Sequence, residues 1–205
     1  AQHALGSGFT RYGPAAGDPD LRAALAHKLS VENGIPTQPE HVLVTNGGKQ
    51  AIYNLFQVLL NPGDEVLVPA PYWLSYPEMA ALAGASTRII PTKAEEGFRL
   101  DFDLLEQQIT PRSRLLVINS PGNPSGQVMT RAELEALAAL VARHPQLMVM
   151  SDEIYEYLLA DGQQHCSFAA IAEEIRSRCF TVNGFAKGWA MTGWRLGYLI
   201  GRAHV

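Results

Sequence analysis

The amino-acid sequence predicts an α/β fold built on a mostly parallel seven-stranded sheet. Seven short runs of β-branched and apolar residues recur along the 205-residue chain, and such runs are typical of buried strands. Amphipathic stretches with helical spacing lie between most of them. When strands alternate with helices, each helix returns the chain to the same edge of the sheet, so the strands run parallel.

The predicted strands are short, and several are followed directly by turn-forming residues. The first is followed by Asn46-Gly47-Gly48, the second by Pro69, and the fourth by a proline-rich segment. In chain order the seven are Val42–Thr45, Val66–Val68, Thr87–Ile90, Leu115–Asn119, Leu147–Ser151, Phe180–Val182 and Tyr198–Ile200.

Five predicted helices lie between or before these strands. Gly84 follows the third helix and Asn33-Gly34 ends the first, as is typical where a helix stops at a left-handed residue. The five are Leu21–Asn33, Lys49–Leu60, Tyr76–Ala83, Asp103–Gln108 and Arg131–His144.

The composition indicates one sizeable domain, spanning residues 1–205, that acts on small molecules. Hydrophobic residues make up 47% of the chain, and no repeat or linker-like stretch suggests a boundary within it. The net charge is only −4 and no block of like charge occurs, which argues against a nucleic-acid or membrane partner.

Cysteine usage and hydropathy favour a cytoplasmic protein. Cys166 and Cys179 are spaced neither as a C-x-x-C redox pair nor as a zinc site, so we predict a reducing compartment and no metal. No charged-then-apolar leader begins the sequence, and no apolar run has the length needed to span a bilayer.

Glycine-rich and polar clusters follow several predicted strands. Ligands of open α/β sheets bind outside the carboxyl ends of the strands, so these clusters are candidate site residues. Gly47, Gly48 and Lys49 lie where the first strand meets a helix, and the backbone amides of such a turn bind anions. The Walker and dinucleotide-binding glycine patterns are absent, so a plain tight turn is the alternative.

Two other clusters contain side chains that a site would use. Asp152 ends an apolar strand, where its carboxylate either projects over the sheet edge or caps the next helix. Asn123 lies between prolines and glycines in N-S-P-G-N-P-S-G, a backbone that is constrained more than an ordinary loop needs. That constraint favours a rigidly positioned hydrogen-bonding group over a plain loop.

The most informative segment runs from Asn183 to Tyr198 and reads N-G-F-A-K-G-W-A-M-T-G-W-R-L-G-Y. It is similar to the Schiff-base signature of class I and II aminotransferases of fold type I, in which a lysine carries the cofactor and an arginine eight positions later binds its phosphate. Lys187 and Arg195 have this spacing. G-G-K-Q, P-A-P-Y-W, N-S-P-G-N-P and S-D-E-I-Y also occur in the family's order, so the resemblance covers nearly the whole chain.

This resemblance implies a three-layer α/β/α architecture that binds pyridoxal 5′-phosphate. Lys187 would form the Schiff base and then carry the proton that moves between substrate and cofactor. Asp152 would pair with the pyridine nitrogen and keep it protonated. Asn123 and Tyr155 would hydrogen-bond the phenolic oxygen, and Trp73 would stack on the ring.

The resemblance also implies a phosphate site and a homodimer with shared active sites. Tyr12 would bind the phosphate of the neighbouring subunit, unless it is an ordinary loop tyrosine. Many relatives have a serine where Ala186 stands, and some have a hydroxyl residue where Gly184 stands, so one phosphate contact is expected to be lost. In its own subunit the phosphate would contact Arg195 and the backbone amides of Gly47, Gly48 and Lys49.

The expected reaction is transamination of aspartate with 2-oxoglutarate. Trp73 and Asn123 would also contact the substrate, and Lys49 would meet its side-chain carboxylate, unless Lys49 is only a solvated helix-start residue. Aromatic amino acids, alanine and prephenate are alternative substrates. We expect Trp189 and Trp194 to pack in the core.

Three alternatives to this picture follow from the same resemblance. Pyridoxal-phosphate-dependent β-lyases and aminocyclopropane-carboxylate synthases share most of these motifs, and some regulators use the fold only as a sensor.

Relatives are roughly twice this length, as multidomain enzymes are. An amino-terminal arm and a carboxy-terminal small domain are therefore expected outside this sequence, and this segment alone is expected to be inactive.

Overall fold

All seven predicted strands are present in the computed structural model, which describes residues 1–201, and they form one sheet. The order across the sheet is β1-β7-β6-β5-β4-β2-β3. The strands are Val42–Thr45 (β1), Glu65–Pro69 (β2), Ser86–Ile90 (β3), Ser113–Asn119 (β4), Met148–Asp152 (β5), Cys179–Gly184 (β6) and Gly197–Ile200 (β7).

The sheet is mostly parallel, as predicted, with one strand reversed. β7 runs antiparallel to both of its neighbours, β1 and β6, whereas all other pairs of adjacent strands are parallel. Because β7 is reversed, the connection between β6 and β7 leaves and re-enters the sheet at the same edge. This connection carries Lys187 and Arg195.

The five predicted helices are also present, with small differences at their ends. The helix predicted at Leu21–Asn33 begins two residues earlier, at Pro19. Asp18 caps it by accepting hydrogen bonds from the backbone amides of Asp20 and Leu21. Two very short helices were not predicted, since so few residues show no helical period. In order, the helices are Gln2–Gly6 (α1), Pro19–Val31 (α2), Gly48–Leu59 (α3), Ser75–Leu82 (α4), Phe102–Gln108 (α5), Arg131–Ala142 (α6) and Phe168–Ile171 (α7).

Helices cover both faces of the sheet, which confirms the three-layer α/β/α architecture. Helices α3 and α4 pack on one face, and α2, α5, α6 and α7 pack on the other. In β4, Leu115 and Val117 face the first layer, whereas Leu116 and Ile118 face the second. Because the central strands are buried on both sides, they have continuous apolar sequences rather than alternating ones. Across residues 1–201, no helix combines the length and apolar character that crossing a membrane requires.

The prediction that Trp189 and Trp194 pack in the core is wrong. Their side chains are 56% and 63% exposed. Both lie in the connection between β6 and β7 and in none of the helices that cover the sheet. An exposed tryptophan cannot be distinguished from a buried one by its letter alone.

Candidate functional site

A cleft opens at the sheet edge where the carboxyl ends of the parallel strands meet. It has a volume of about 780 Å³, including the part open to solvent. Its walls come from residues that follow β1, β2, β4, β5 and β6, which is where a ligand of an open α/β sheet is expected. Eight predicted site residues line it together: Gly48, Lys49, Trp73, Asn123, Asp152, Tyr155, Lys187 and Arg195.

Two predicted site residues do not line the cleft. Gly47 is instead packed against the guanidinium group of Arg195. Tyr12 precedes α2 and is fully exposed. Within the described chain, Tyr12 therefore takes no part in the cleft.

One end of the cleft is suited to an anion. Helix α3 begins there at Gly48, and no side chain caps it, so its first amides are available to a ligand. Arg195 donates from Nη1 to the carbonyl oxygen of Thr192 at 2.8 Å and places Nη2 beside Gly47. A guanidinium group next to a helix N terminus combines full charge with the positive end of the helix dipole.

Close packing of glycines supports this end of the cleft. Gly47 has a φ of +79°, and a side chain there would collide with the Arg195 guanidinium. Gly197 of β7 packs under the same turn, and a methyl group on it would lie 2.5 Å from both the carbonyl carbon of Gly47 and the amide nitrogen of Gly48. The turn at Gly47 and Gly48 can pack this closely on β7 because Gly197 has no side chain.

We expect Gly197→Ala to damage both stability and anion binding. The added methyl group must push the backbone of Gly47 and Gly48 away, and such overpacking typically costs about 1–3 kcal/mol. Urea denaturation and phosphate binding would measure the two effects. Gly193→Ala is the matched control, because no atom lies within 4 Å of a methyl group there. Equal stability of the two variants would contradict the packing argument.

Asp152 is the buried carboxylate of the cleft. Its side chain is 5% exposed, and Oδ2 accepts a 2.6 Å hydrogen bond from the Tyr76 hydroxyl. Oδ1 accepts a longer one, 3.3 Å, from the amide of Ile154. The chain after Asp152 forms a turn and not a helix, so the interpretation of Asp152 as a helix cap is wrong.

Burial raises the pKa of Asp152 from 3.8 to about 6, although the Tyr76 hydrogen bond opposes the shift. A carboxyl group whose folded pKa is raised stabilises the fold fully below the unfolded pKa, and this stabilisation is lost as the pH rises through the folded pKa. We therefore expect the cofactor-free protein to lose roughly 3 kcal/mol between about pH 4 and pH 6 from this group.

Chemical denaturation of the cofactor-free protein between pH 4 and pH 7 would measure that loss. In Asp152→Asn the side chain does not titrate, so the difference in unfolding free energy between the two proteins isolates the contribution of this carboxyl group. A difference that does not change with pH would contradict the raised pKa.

Asn119 joins two parts of the site and was not predicted as a site residue. It ends β4 and lines the cleft. Its Nδ2 donates to the backbone oxygen of Asp152 at 2.9 Å, and its Oδ1 accepts from the backbone amide of Asn123 at 2.7 Å. Asn119 ends a strand as Asp152 does, and that position was the available signal.

Lys187 and Tyr155 face each other across the cleft. Lys187 is exposed in the turn that follows β6, and its Nζ lies 5.6 Å from the centroid of the Tyr155 ring. Elsewhere in the cleft lining, the Nζ of Lys49 lies 5.0 Å from the centroid of the half-buried Trp73 ring. The cleft thus contains two lysine amines, each next to an aromatic face.

A buried polar network holds the turn that carries Tyr155. Glu153 is 1% exposed, and its carboxylate accepts hydrogen bonds from Ser151, from Ser167 and from the amide of Phe168. These bonds join the turn to β5 and to the start of α7. Tyr155 is therefore held by a rigid support rather than by a free loop.

A second set of contacts holds the turn that carries Lys187. Gly188 packs against the ring of Tyr157, and Trp189 meets the same ring edge-on at 5.4 Å. The Tyr157 hydroxyl donates to Glu32, just beyond α2, at 2.6 Å. The turn that carries Tyr155 and the turn that carries Lys187 are thus both held by contacts with the helical layer that contains α2 and α7.

The chain is similar in sequence to known proteins over almost its whole length. The family model for aminotransferase class I and II matches residues 1–205. The chain is 52% identical over 202 residues to a Petunia hybrida bifunctional aspartate aminotransferase and glutamate/aspartate-prephenate aminotransferase, covering 98% of this chain and 42% of the relative. It is 51% identical over 205 residues to the Thermus thermophilus aspartate/prephenate aminotransferase, covering all of this chain and 52% of that one.

Solved structures show the same architecture. The Thermus thermophilus aspartate aminotransferase with maleate matches with a TM-score of 0.93 and 50% identity, over 98% of this chain and 51% of that one. The Rhizobium meliloti aspartate aminotransferase matches with a TM-score of 0.95 and 38% identity, over 98% and 50%. The chain spans about half the length of these relatives. Over that span, this chain belongs to the aminotransferase class I and II family.

Proposed function

We propose that this chain is the cofactor-binding large domain of a pyridoxal-phosphate-dependent aminotransferase that transfers the amino group of aspartate to 2-oxoglutarate. The observation that carries the proposal is the single cleft in which Lys187, Asp152 and Arg195 meet. An amine, a buried carboxylate and an anion-binding end are what this cofactor requires at its three reactive or charged positions.

The side chains in the cleft fit pyridoxal 5′-phosphate. The uncapped start of α3 and the Arg195 guanidinium suit a phosphate group. Asp152 is buried and forms its shorter hydrogen bond with a neutral tyrosine, so a cationic ring nitrogen would offset the cost of its burial. Trp73 offers a half-buried aromatic face on the same cleft.

When bound, the cofactor supplies an electron-accepting ring for the electron pair that is released as the substrate loses its α-proton. Lys187 would hold the cofactor covalently and, once freed by the substrate, take that proton on Nζ. Asp152 would keep the ring nitrogen protonated. Asn123 and Tyr155 would donate hydrogen bonds to the phenolic oxygen, and Arg195 would hold the phosphate.

The choice of aspartate rests on Lys49 and on the relatives. Lys49 lines the same cleft as Lys187, next to Trp73, and its amine would meet a second carboxylate of the substrate. Relatives that are about half identical over this span are named aspartate aminotransferases, and one was solved with maleate, a four-carbon dicarboxylate. Prephenate is a second candidate substrate, because the same relatives are named for it.

We also propose a homodimer in the cytoplasm. Tyr12 is fully exposed and lies outside the cleft of its own chain, which suits a role in a neighbouring subunit's site. Both cysteines are free thiols, which suits a reducing compartment.

The direct test of cofactor attachment is to add pyridoxal 5′-phosphate to the full-length protein, reduce it with borohydride and locate the adduct by peptide mass spectrometry. We expect the adduct on Lys187. Lys49 is an internal control, because it lines the same cleft. An adduct only on Lys49 or on surface lysines would overturn the proposal.

Half-reactions of the full-length protein would test the substrates. Aspartate should yield its oxo-acid, and 2-oxoglutarate or prephenate should then be aminated. Ammonia or an elimination product in place of a second aminated acid would favour a β-lyase or an aminocyclopropane-carboxylate synthase-like enzyme. No turnover despite a Lys187 adduct would favour a sensor domain.

A further inference from the structure

Tyr76 touches two walls of the cleft and has no role in the function proposed above. It lies in the first turn of α4 and is 1% exposed. Its hydroxyl donates to Oδ2 of Asp152 at 2.6 Å. Its ring meets the Trp73 ring edge-on, with centroids 5.4 Å apart and planes at 84°.

The hydrogen bond from Tyr76 acts on a carboxylate with little other support. A donor on one oxygen favours the charged form, whereas burial favours the neutral form. The other oxygen has only the 3.3 Å contact with Ile154. Tyr76 therefore fixes the orientation of the Asp152 carboxylate. Oδ1 is the oxygen with the weaker protein contact.

We propose that Tyr76 is a positioning residue that orients the Asp152 carboxylate, keeps it ionised for the cofactor's ring nitrogen, and sets the Trp73 ring relative to it. This inference rests on the proposed function. Because one buried side chain contacts both residues, the carboxylate and the aromatic wall are positioned as a unit.

Other ionisable groups lie next to Asp152 or line the cleft with it, and a test must leave them unchanged. Glu153 is adjacent in sequence and raises the pKa of Asp152 by repulsion. The remaining ionisable side chains that line the cleft lie on α3, on the turn after β5 and on the connection after β6. They are Lys49, Tyr155, Lys187 and Arg195.

The test compares Tyr76→Phe with wild type in the full-length holoenzyme. We expect loss of the hydroxyl to weaken pyridoxal 5′-phosphate binding about tenfold at pH 7, which corresponds to about 1.4 kcal/mol, because the carboxylate then lacks the donor that orients it. The acid limb of cofactor binding should move to higher pH by about one unit, because the carboxylate then protonates more easily. Cofactor absorbance, titrated against pH and against cofactor concentration, measures both.

Tyr198→Phe is the matched control. Tyr198 is also a buried tyrosine, 3% exposed, but it packs against Phe185 in the opposite helical layer and does not line the cleft. It should leave the acid limb where it is. The same shift in both variants, or no shift in Tyr76→Phe, would overturn the inference.

A double-mutant cycle removes the remaining ambiguity. In an Asp152→Asn background, Tyr76→Phe should no longer move the acid limb, because the group that titrates is gone. An undiminished shift there would show that Tyr76 acts through something other than Asp152. The borohydride adduct of the wild type tests the proposed function separately, so an adduct on Lys187 with an unshifted Tyr76→Phe titration defeats only this inference.

Discussion

Lys187→Ala should abolish covalent cofactor attachment and lower kcat/KM of the full-length protein at least about 10⁴-fold. In the proposed function Lys187 is both the amine that holds the cofactor and the base that moves the proton, so the variant would lose both, and proton transfer alone contributes up to about 10⁴. Stability should change little, because the Lys187 side chain is exposed. The turn is held by the contacts of Gly188 and Trp189 with Tyr157, and not by the side chain of Lys187. Steady-state kinetics with aspartate, borohydride trapping and urea denaturation measure the three effects.

Two further variants separate charge from nucleophilicity at this position. Lys187→Arg keeps the positive charge beside Tyr155 but has no amine that can bond covalently to the cofactor, so it should be as inactive as Lys187→Ala. Lys93→Ala removes an exposed lysine that pairs with Glu96, and it should behave like wild type. Activity of Lys187→Arg within tenfold of wild type would contradict the assigned role.

The sequence predicts the sheet and most of the cleft because both depend on local patterns. Strands buried on both faces are apolar runs, and the rule that ligands bind at the carboxyl ends of strands pointed to the segments that contain Asp152 and Asn123. The reversed direction of β7 was not predictable in this way. It depends on the pairing of β7 with β6 and with β1, and β1 lies near the other end of the chain.

The residues that sequence reasoning missed act through partners that are distant in the chain. Tyr76 has the spacing of an ordinary apolar position in an amphipathic helix, and only the fold brings its hydroxyl to Asp152, 76 positions away. Asn119 similarly reaches the backbone of Asp152 across a strand pair. Conversely, Trp189 and Trp194 were predicted to be buried because large aromatic residues usually are, whereas here they are exposed in the connection between β6 and β7.

Asp152→Asn should lower kcat/KM of the full-length protein by about 10³-fold. A unit charge pair about 4 Å apart gains roughly 4 kcal/mol at an effective dielectric constant near 20, and loss of that gain in the transition state corresponds to about three factors of ten. The amide has the size of the carboxylate and can still accept the hydrogen bond from Tyr76. The fold is therefore expected to be retained, and kinetics at saturating cofactor would measure the loss.

The Asp152→Asn variant should be no less stable than wild type at pH 7 when the cofactor is absent. Burial raises the pKa of Asp152 to about 6, so at pH 7 the cofactor-free protein contains an ionised, buried carboxylate that the variant lacks. Glu153→Gln is the contrasting control. Glu153 is equally buried, but its hydrogen bonds to Ser151 and Ser167 support the turn, and it does not line the cleft.

Replacing Glu153 should therefore lower the free energy of unfolding by about 1–3 kcal/mol. Because Glu153 raises the pKa of Asp152 and supports the turn that carries Tyr155, kcat/KM should also fall, but far less than in Asp152→Asn. We thus expect different main effects from the two adjacent substitutions. Asp152→Asn should mainly reduce catalysis, whereas Glu153→Gln should mainly reduce stability. A stability loss at Asp152 as large as the one at Glu153, with kcat/KM within tenfold of wild type, would mean that Asp152 is a structural carboxylate. A loss confined to catalysis would mean that the protein tolerates this buried charge because the cofactor needs it.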